Sequence, residues 1–209
     1  WSDRERPILI NNWEATYFDF NTDKLMEIAA RAADTGVELF VVDDGWFGSR
    51  DSDHSGLGDW FVNEKKLPGG LKRLADGIHG LGMQFGLWLE PEMISPDSDL
   101  YSAHPDWCLH LEGRDRSTVR NQLVLDLSRA PVRDEIIRRI KAILSSVRID
   151  YIKWDMNRPL SHAASPGSVD DHPLPQGELR HRQVLGVYAM MREITEAFPD
   201  ILFDVLARQ

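Results

Sequence analysis

Three apolar runs in this chain end abruptly in carboxylates. Leu39–Val42 runs into Asp43 and Asp44, Phe85–Leu89 into Glu90, and Tyr151–Trp154 into Asp155. Each run has the length and side chains of a buried strand. Packing alone needs no charge at the tip of such a strand. A shared site does, because parallel barrels hold nucleophilic or basic carboxylates at the C-terminal ends of their strands.

Amphipathic stretches separate the runs. Ile8–Trp13 reads as a first strand and Ile201–Val205 as a fifth. Asp23–Thr35 has Leu25, Ile28, Ala29 and Ala32 at helical spacing, with Asp23 as a candidate N-cap and Gly36 as a stop. Leu71–Leu81, Asp99–His104, Pro131–Ser145 and Glu178–Ala197 also read as helices. Asp126 or Ser128 is the expected cap of the Pro131 helix. Trp107–Leu111 and Gln122–Leu127 alternate and predict a hairpin, and Ser161–Gly177 a loop. Repeated strand–helix units imply a parallel sheet with right-handed crossovers. It is either an open doubly wound sheet or a (β/α)8 barrel. Acids at the ends of successive strands favour the barrel, and no Gly-rich phosphate loop follows any strand. Five units are visible, so residues 1–209 are expected to be one partial barrel domain. Its two unpaired edges predict poor solubility of the segment alone. The opening Trp1-Ser2-Asp3-Arg4 reads as the interior of a longer protein.

The net charge of −10 speaks against nucleic acid and membrane surfaces as partners. No stretch is apolar enough to span a bilayer, and no signal peptide is visible. Cys108 is the only cysteine, which leaves no internal disulfide and fits a cytoplasmic location. Its place in an apolar strand makes packing its expected role. Seven tryptophans are many for 209 residues, and indole faces stack well on pyranose rings.

Four separated segments, Pro7–Ala15, Asp43–Gly48, Gly86–Met93 and Lys153–Arg158, together resemble the catalytic barrel of the α-galactosidases of glycoside hydrolase family 36. The likeness runs from about Pro7 to Phe203. It implies retaining hydrolysis of terminal α-D-galactosyl residues in melibiose- and raffinose-type oligosaccharides, with no metal or organic cofactor. Asp155 would be the nucleophile. Asp43, Asp44 and Lys153 would bind the sugar, and Trp13, Trp88, Arg120 and Asn157 would complete the pocket. The resemblance also implies flanking β-domains that are absent from this segment, and a homo-oligomeric full-length form. Its acid/base aspartate would lie on the next strand, beyond these residues. Where the family has a Cys/Gly-rich turn, this chain reads Phe203–Gln209.

The residues by themselves support part of this. A retaining glycosidase needs two carboxyls about 5–5.5 Å apart, and a cation beside Asp155, such as Lys153, would keep it ionised. Tandem acids such as Asp43 and Asp44 suit neighbouring hydroxyls. Alone, Asp155 reads equally well as a loop cap; Asp43 and Asp44 could also be turn caps and Trp88 a core aromatic, although binding is the favoured reading of all three. Arg120 reads equally well as solvated surface. Glu90 and Glu92 are expected to brace the strand end. Two other readings stay open: a catalytically incomplete sugar-binding fragment or module, and a metal-dependent barrel hydrolase using His54, His162, His172 or His181. No His-x-His or Glu-x-x-His spacing supports the second.

Overall fold

Five strands lie side by side in one parallel sheet, each beside its predecessor in the group: β1 (Leu9–Asn11), β2 (Leu39–Val42), β3 (Gln84–Leu89), β6 (Tyr151–Met156) and β9 (Leu202–Ala207). The structure is a computed structural model describing residues 5–161, 164–166, 168–169, 172–173 and 175–207. Two short antiparallel ladders sit apart from the sheet. One joins β4 (Met93–Ile94) to β5 (Leu123–Val124), the other β7 (Ser168–Val169) to β8 (His172–Pro173). The helices are α1 (Trp13–Thr16), α2 (Thr22–Asp34), α3 (Gly70–Gly80), α4 (Asp99–Ala103), α5 (Ala130–Ser146) and α6 (Leu179–Ala197). The strand order never reverses, so the sheet has no switch point. That removes the doubly wound alternative and leaves a singly wound, curled α/β sheet. β1 and β9 are its edges.

The two faces of the sheet bury different residues. Phe40, Val42, Phe85, Leu87, Leu89, Ile152 and Trp154 point outward and join the main core. Leu25 and Ala29 of α2, Leu74 and Ile78 of α3, and Ile136 and Ile140 of α5 meet them there. The alternate residues point inward. Leu39, Val41 and Tyr151 form a separate small cluster with Leu202 packed on it. Gly86 belongs to this inner layer because a Cβ there would come within 2.9 Å of the Tyr151 ring. At the lower end Asp150 accepts hydrogen bonds from the Phe85 amide (2.9 Å) and pairs with His79 (2.7 Å), which fixes where β6 starts.

Several local expectations are corrected. β1 stops at Asn11, whose Oδ1 accepts the Trp13 amide and starts the turn of α1. The cap of α2 is Asn21, which accepts the Lys24 amide at 2.9 Å, not Asp23. Gly36 does end that helix, at φ +86°. Neither Asp126 nor Ser128 caps α5. Its N-cap is Arg129, without a side-chain bond, and the Asp126 carboxylate accepts the Ser128 and Ser165 hydroxyls instead. The expected hairpin shrinks to one bridge, Cys108 to Leu125, because Pro105–Trp107 winds into a 3-10 turn. Leu123 and Val124 pair with β4 instead. His162 lies outside the described residues. Within those residues no helix is long and apolar enough to cross a membrane.

Helix α6 seats on the chain that follows β5. Gln183 accepts the Leu127 amide at 2.9 Å and donates to the Leu125 carbonyl at 2.9 Å. One turn on, a Cβ at Gly186 would collide with the Leu127 carbonyl oxygen. That atom is backbone and cannot rotate away. Gly186→Ala is therefore expected to destabilise the fold by about 1–3 kcal/mol despite the better helix propensity of alanine. A denaturant midpoint equal to that of the unsubstituted protein would show that α6 can move freely.

Candidate active site

The sheet register brings the charged strand ends together. Trp88 stands level with Lys153, and Asp155 sits two residues further along the same inner face. Asp43 follows directly from β2. Its carboxylate accepts the Lys153 ammonium at 2.8 Å and the Asp44 amide at 2.9 Å. Its own amide donates to Asn12 Oδ1 at 2.8 Å, which fixes the peptide against the end of β1. Asp44 takes a bidentate bond from Arg50, with Nε and Nη2 both at 2.7 Å. Both side chains are almost wholly buried, Arg50 at 0% and Asp44 at 4% exposure. Burial pushes the Asp44 carboxyl up, and the Arg50 guanidinium opposes that shift.

Asp155 is held by three donors. Oδ2 accepts from Trp88 Nε1 at 3.1 Å and from Asn157 Nδ2 at 2.6 Å, and Oδ1 accepts the Met156 amide at 3.0 Å. Trp88 cannot swing, because Phe47 stacks parallel to it and Trp60 and Trp46 close the aromatic layer behind. Trp46 also donates its indole N–H to the Trp88 carbonyl at 2.9 Å. The expected place of Lys153 beside Asp155 is corrected: the ammonium forms its ion pair with Asp43. The side chain at Asp155 is steadied by neutral donors instead.

Trp13, Asp43, Asp44, Trp88, Arg120, Lys153, Asp155 and Asn157 line one cleft of about 120 Å³. The eight residues that the resemblance assigned to the sugar site thus line one cleft. Trp13 reaches it from α1, with edge contacts to Tyr17 and Phe18. Arg120 arrives on a turn in which it and Asn121 both have positive φ, 54° and 52°. Asp53 accepts Arg120 Nε at 3.0 Å, and the His54 carbonyl accepts Asn121 Nδ2 at 2.8 Å. Those two bonds hold a turn that non-glycine residues adopt only at a cost. The cleft therefore combines carboxylates, two cations, an amide and indole surface, a set suited to a small polyhydroxylated ligand.

Glu90 and Glu92 both lie behind the cleft wall, and neither bonds Lys153. Glu90 accepts the Asn157 amide at 2.6 Å and Gln122 Nε2 at 3.4 Å, and Glu92 accepts Trp154 Nε1 at 3.4 Å. Burial, with a smaller contribution from the Asp155 charge, pushes the Glu90 carboxyl up to about 7 from an ordinary 4.5, against the opposing Asn157 amide. A raised carboxyl favours folding while it is protonated. That contribution is full below pH 4.5 and is lost as pH rises through about 7. Glu90→Gln is accordingly expected to gain about 3 kcal/mol relative to the unsubstituted protein between pH 5 and pH 8. Denaturant titrations at the two pH values measure it, and a difference independent of pH would contradict it.

Arg50, Asn12 and Asp53 escaped the sequence reading. Only Asn12, directly after β1, carried a signal in its position; nothing in the Gly- and Ser-rich stretch marked Arg50 or Asp53. Among the described residues no group of three His, Cys, Asp or Glu side chains is placed to hold a metal. Cys108 is buried, and burial pushes its thiol up to about 12. Asp204 accepts the Tyr151 hydroxyl at 2.7 Å and lines a different cavity, lower in the sheet.

The melibiase family model matches residues 1–208. The α-galactosidase AgaA of Geobacillus stearothermophilus is 59% identical over 202 residues, covering 97% of this chain and 27% of its own length. Mel36A, an α-galactosidase of Lactobacillus acidophilus, is 53% identical over 204 residues, 98% of this chain and 28% of its own length. The chain thus spans little more than a quarter of the relatives it matches. Among solved structures, the Lactobacillus brevis α-galactosidase superposes with a TM-score of 0.94 at 48% identity, over 99% of this chain and 28% of that one. The Geobacillus AgaA crystal structure gives 0.93 at 56% identity, over 98% and 28%. Variants of AgaA have been crystallised with stachyose and with raffinose. With a family model matched almost from end to end and the sheet superposing on both crystal structures, the chain belongs to the melibiase family, the α-galactosidases of glycoside hydrolase family 36.

Proposed function

We propose that this segment supplies the nucleophile and sugar pocket of a retaining hydrolase acting on terminal α-D-galactosyl residues of raffinose- and melibiose-type oligosaccharides. The observation that carries the reading is the placement of Asp155. Its carboxylate stands at a strand end, in a cleft lined by indole, cations and further acids, and is oriented by Trp88 and Asn157.

The sugar is held first. Asp43, with Lys153 beside it, and Asp44, backed by Arg50, offer charged partners to adjacent hydroxyls. Such bonds discriminate strongly between epimers, because an epimer with a misplaced hydroxyl leaves them unpaired. Trp88 and Trp13 offer apolar ring surface. Asp155 then attacks the anomeric carbon from the face opposite the leaving group, and the C–O bond to the aglycone breaks. Water cleaves the resulting galactosyl ester. Two inversions return the α configuration. Protonation of the departing oxygen falls to a second carboxyl, and this reading assigns that role to no residue among 5–207.

The reading extends to the setting. We place the segment within a (β/α)8 barrel whose remaining units pair with the edges β1 and β9, flanked by β-domains in a cytoplasmic, homo-oligomeric protein. Exposed apolar side chains support it: Leu9 on β1, Val205 on β9, and Val184, Leu185 and Tyr188 on α6.

The test is product stereochemistry. The natural polypeptide carrying this segment is incubated with raffinose, and the first-formed galactose is followed by proton NMR. The expected product is the α anomer, equilibrating later by mutarotation. First appearance of the β anomer would exclude a covalent role for Asp155. Binding of raffinose with no release of galactose would make the segment a sugar-binding module.

A further inference from the structure

Glu90 is wholly buried and does not line the cleft, yet it is one residue removed from the attacking group. Its Oε1 accepts the Asn157 amide at 2.6 Å, and Asn157 Nδ2 donates to Asp155 Oδ2, also at 2.6 Å. Gln122 Nε2 approaches the other oxygen, Oε2, at 3.4 Å. A buried carboxyl costs folding free energy, and an apolar side chain of the same size would fill the site at least as well. The position of Asn157 explains what the carboxyl does there. Asn157 lies just past the end of β6, which closes at Met156. The Glu90 acceptor anchors the first peptide beyond the strand.

We propose that Glu90 is a positioning residue: by anchoring the Asn157 backbone it aims the Asn157 amide, and so the attacking oxygen of Asp155. This deepens the hydrolase reading above and rests on it. Glu90 needs only to accept a hydrogen bond, so the carbonyl oxygen of a glutamine in its place serves as well. It touches no substrate, so its loss acts on the chemical step and leaves ground-state affinity in place.

A double-mutant cycle on the natural polypeptide, with an aryl α-galactoside as substrate, tests this. Glu90→Met is expected to lower kcat about 10²-fold with KM little changed, because misplacement of a reacting group on the 1 Å scale has that cost. Glu90→Gln is expected to restore most of the rate. In an Asn157→Ala background, Glu90→Met is expected to cause little further loss, because both changes break the same connection. Equal losses in the two backgrounds would overturn the proposal, and so would a Glu90→Met effect confined to KM. Should Glu90→Met fail to fold, Glu90→Gln decides alone: a rate as low as that of Asn157→Ala would refute the acceptor role. Absence of turnover by the unsubstituted polypeptide would sink the hydrolase reading itself, whereas turnover with an additive cycle would sink only the role given to Glu90.

Discussion

Asp155→Ala is expected to lower kcat toward α-galactosides by on the order of 10⁴- to 10⁶-fold, the scale of removing the nucleophile from a covalent hydrolase. The fold should survive. The side chain is only partly buried, and the donors it releases, Trp88 Nε1 and Asn157 Nδ2, open onto the cleft where water can take the place of the carboxylate. The diagnostic result is chemical rescue. The cavity left on the β face of the sugar admits a small anion, so azide with an activated aryl galactoside should yield β-galactosyl azide. Rescue giving the α-azide would place the attack on the wrong face, and an undiminished rate in Asp155→Ala would end the assignment.

The largest expected effect on stability lies elsewhere, at Arg50. Arg50→Met leaves the Asp44 carboxylate buried without its bidentate partner. Breaking a buried pair from one side costs about 3–5 kcal/mol. For a domain of this size that lowers the melting midpoint by on the order of 10 °C. The loss exceeds what a surface ion pair such as Lys72 with Asp76 can give, since solvent screens that one. Adding Asp44→Asn to Arg50→Met should recover much of the stability, because no uncompensated charge then remains inside. It should not recover sugar affinity, because Asp44 lines the cleft. Calorimetry on the two variants, with galactose titration, separates the effects. Equal midpoints for both would mean that the pair contributes through packing alone.

The strands and their acidic tips were legible because burial imposes a local pattern: a short apolar run, then a charge. The helices followed from apolar spacing, with ends off by about a residue. What escaped depends on contacts across long separations. Lys153 stands two residues from Asp155, and proximity in sequence suggested that pair, but the pleat and curl of the sheet deliver the ammonium to Asp43, 110 positions away. The hairpin expected between Trp107–Leu111 and Gln122–Leu127 survives only as the bridge of Cys108 to Leu125, for a similar reason. Leu123 and Val124 found Met93 and Ile94, about thirty residues back, and alternation says nothing about which strand is the partner. Asp126 looked like a cap because it precedes a helix, and its carboxylate went to hydroxyls from two directions. Arg50 could not be picked out because nothing in a Gly- and Ser-rich stretch marks one arginine as interior.

The bond between Asp43 and Lys153 also sets an order in time. Asp44 finds Arg50 six residues later, almost as soon as both have been synthesised. Asp43 must wait for 110 further residues. At roughly 5–20 residues per second that delay is about 5–20 s on the ribosome. During it an acid destined for the interior has no ammonium partner, so β2 gains by staying hydrated at its tip until β6 arrives. The cleft is in this sense a late product of synthesis, and a ribosome stalled before Lys153 holds a chain in which it cannot yet exist.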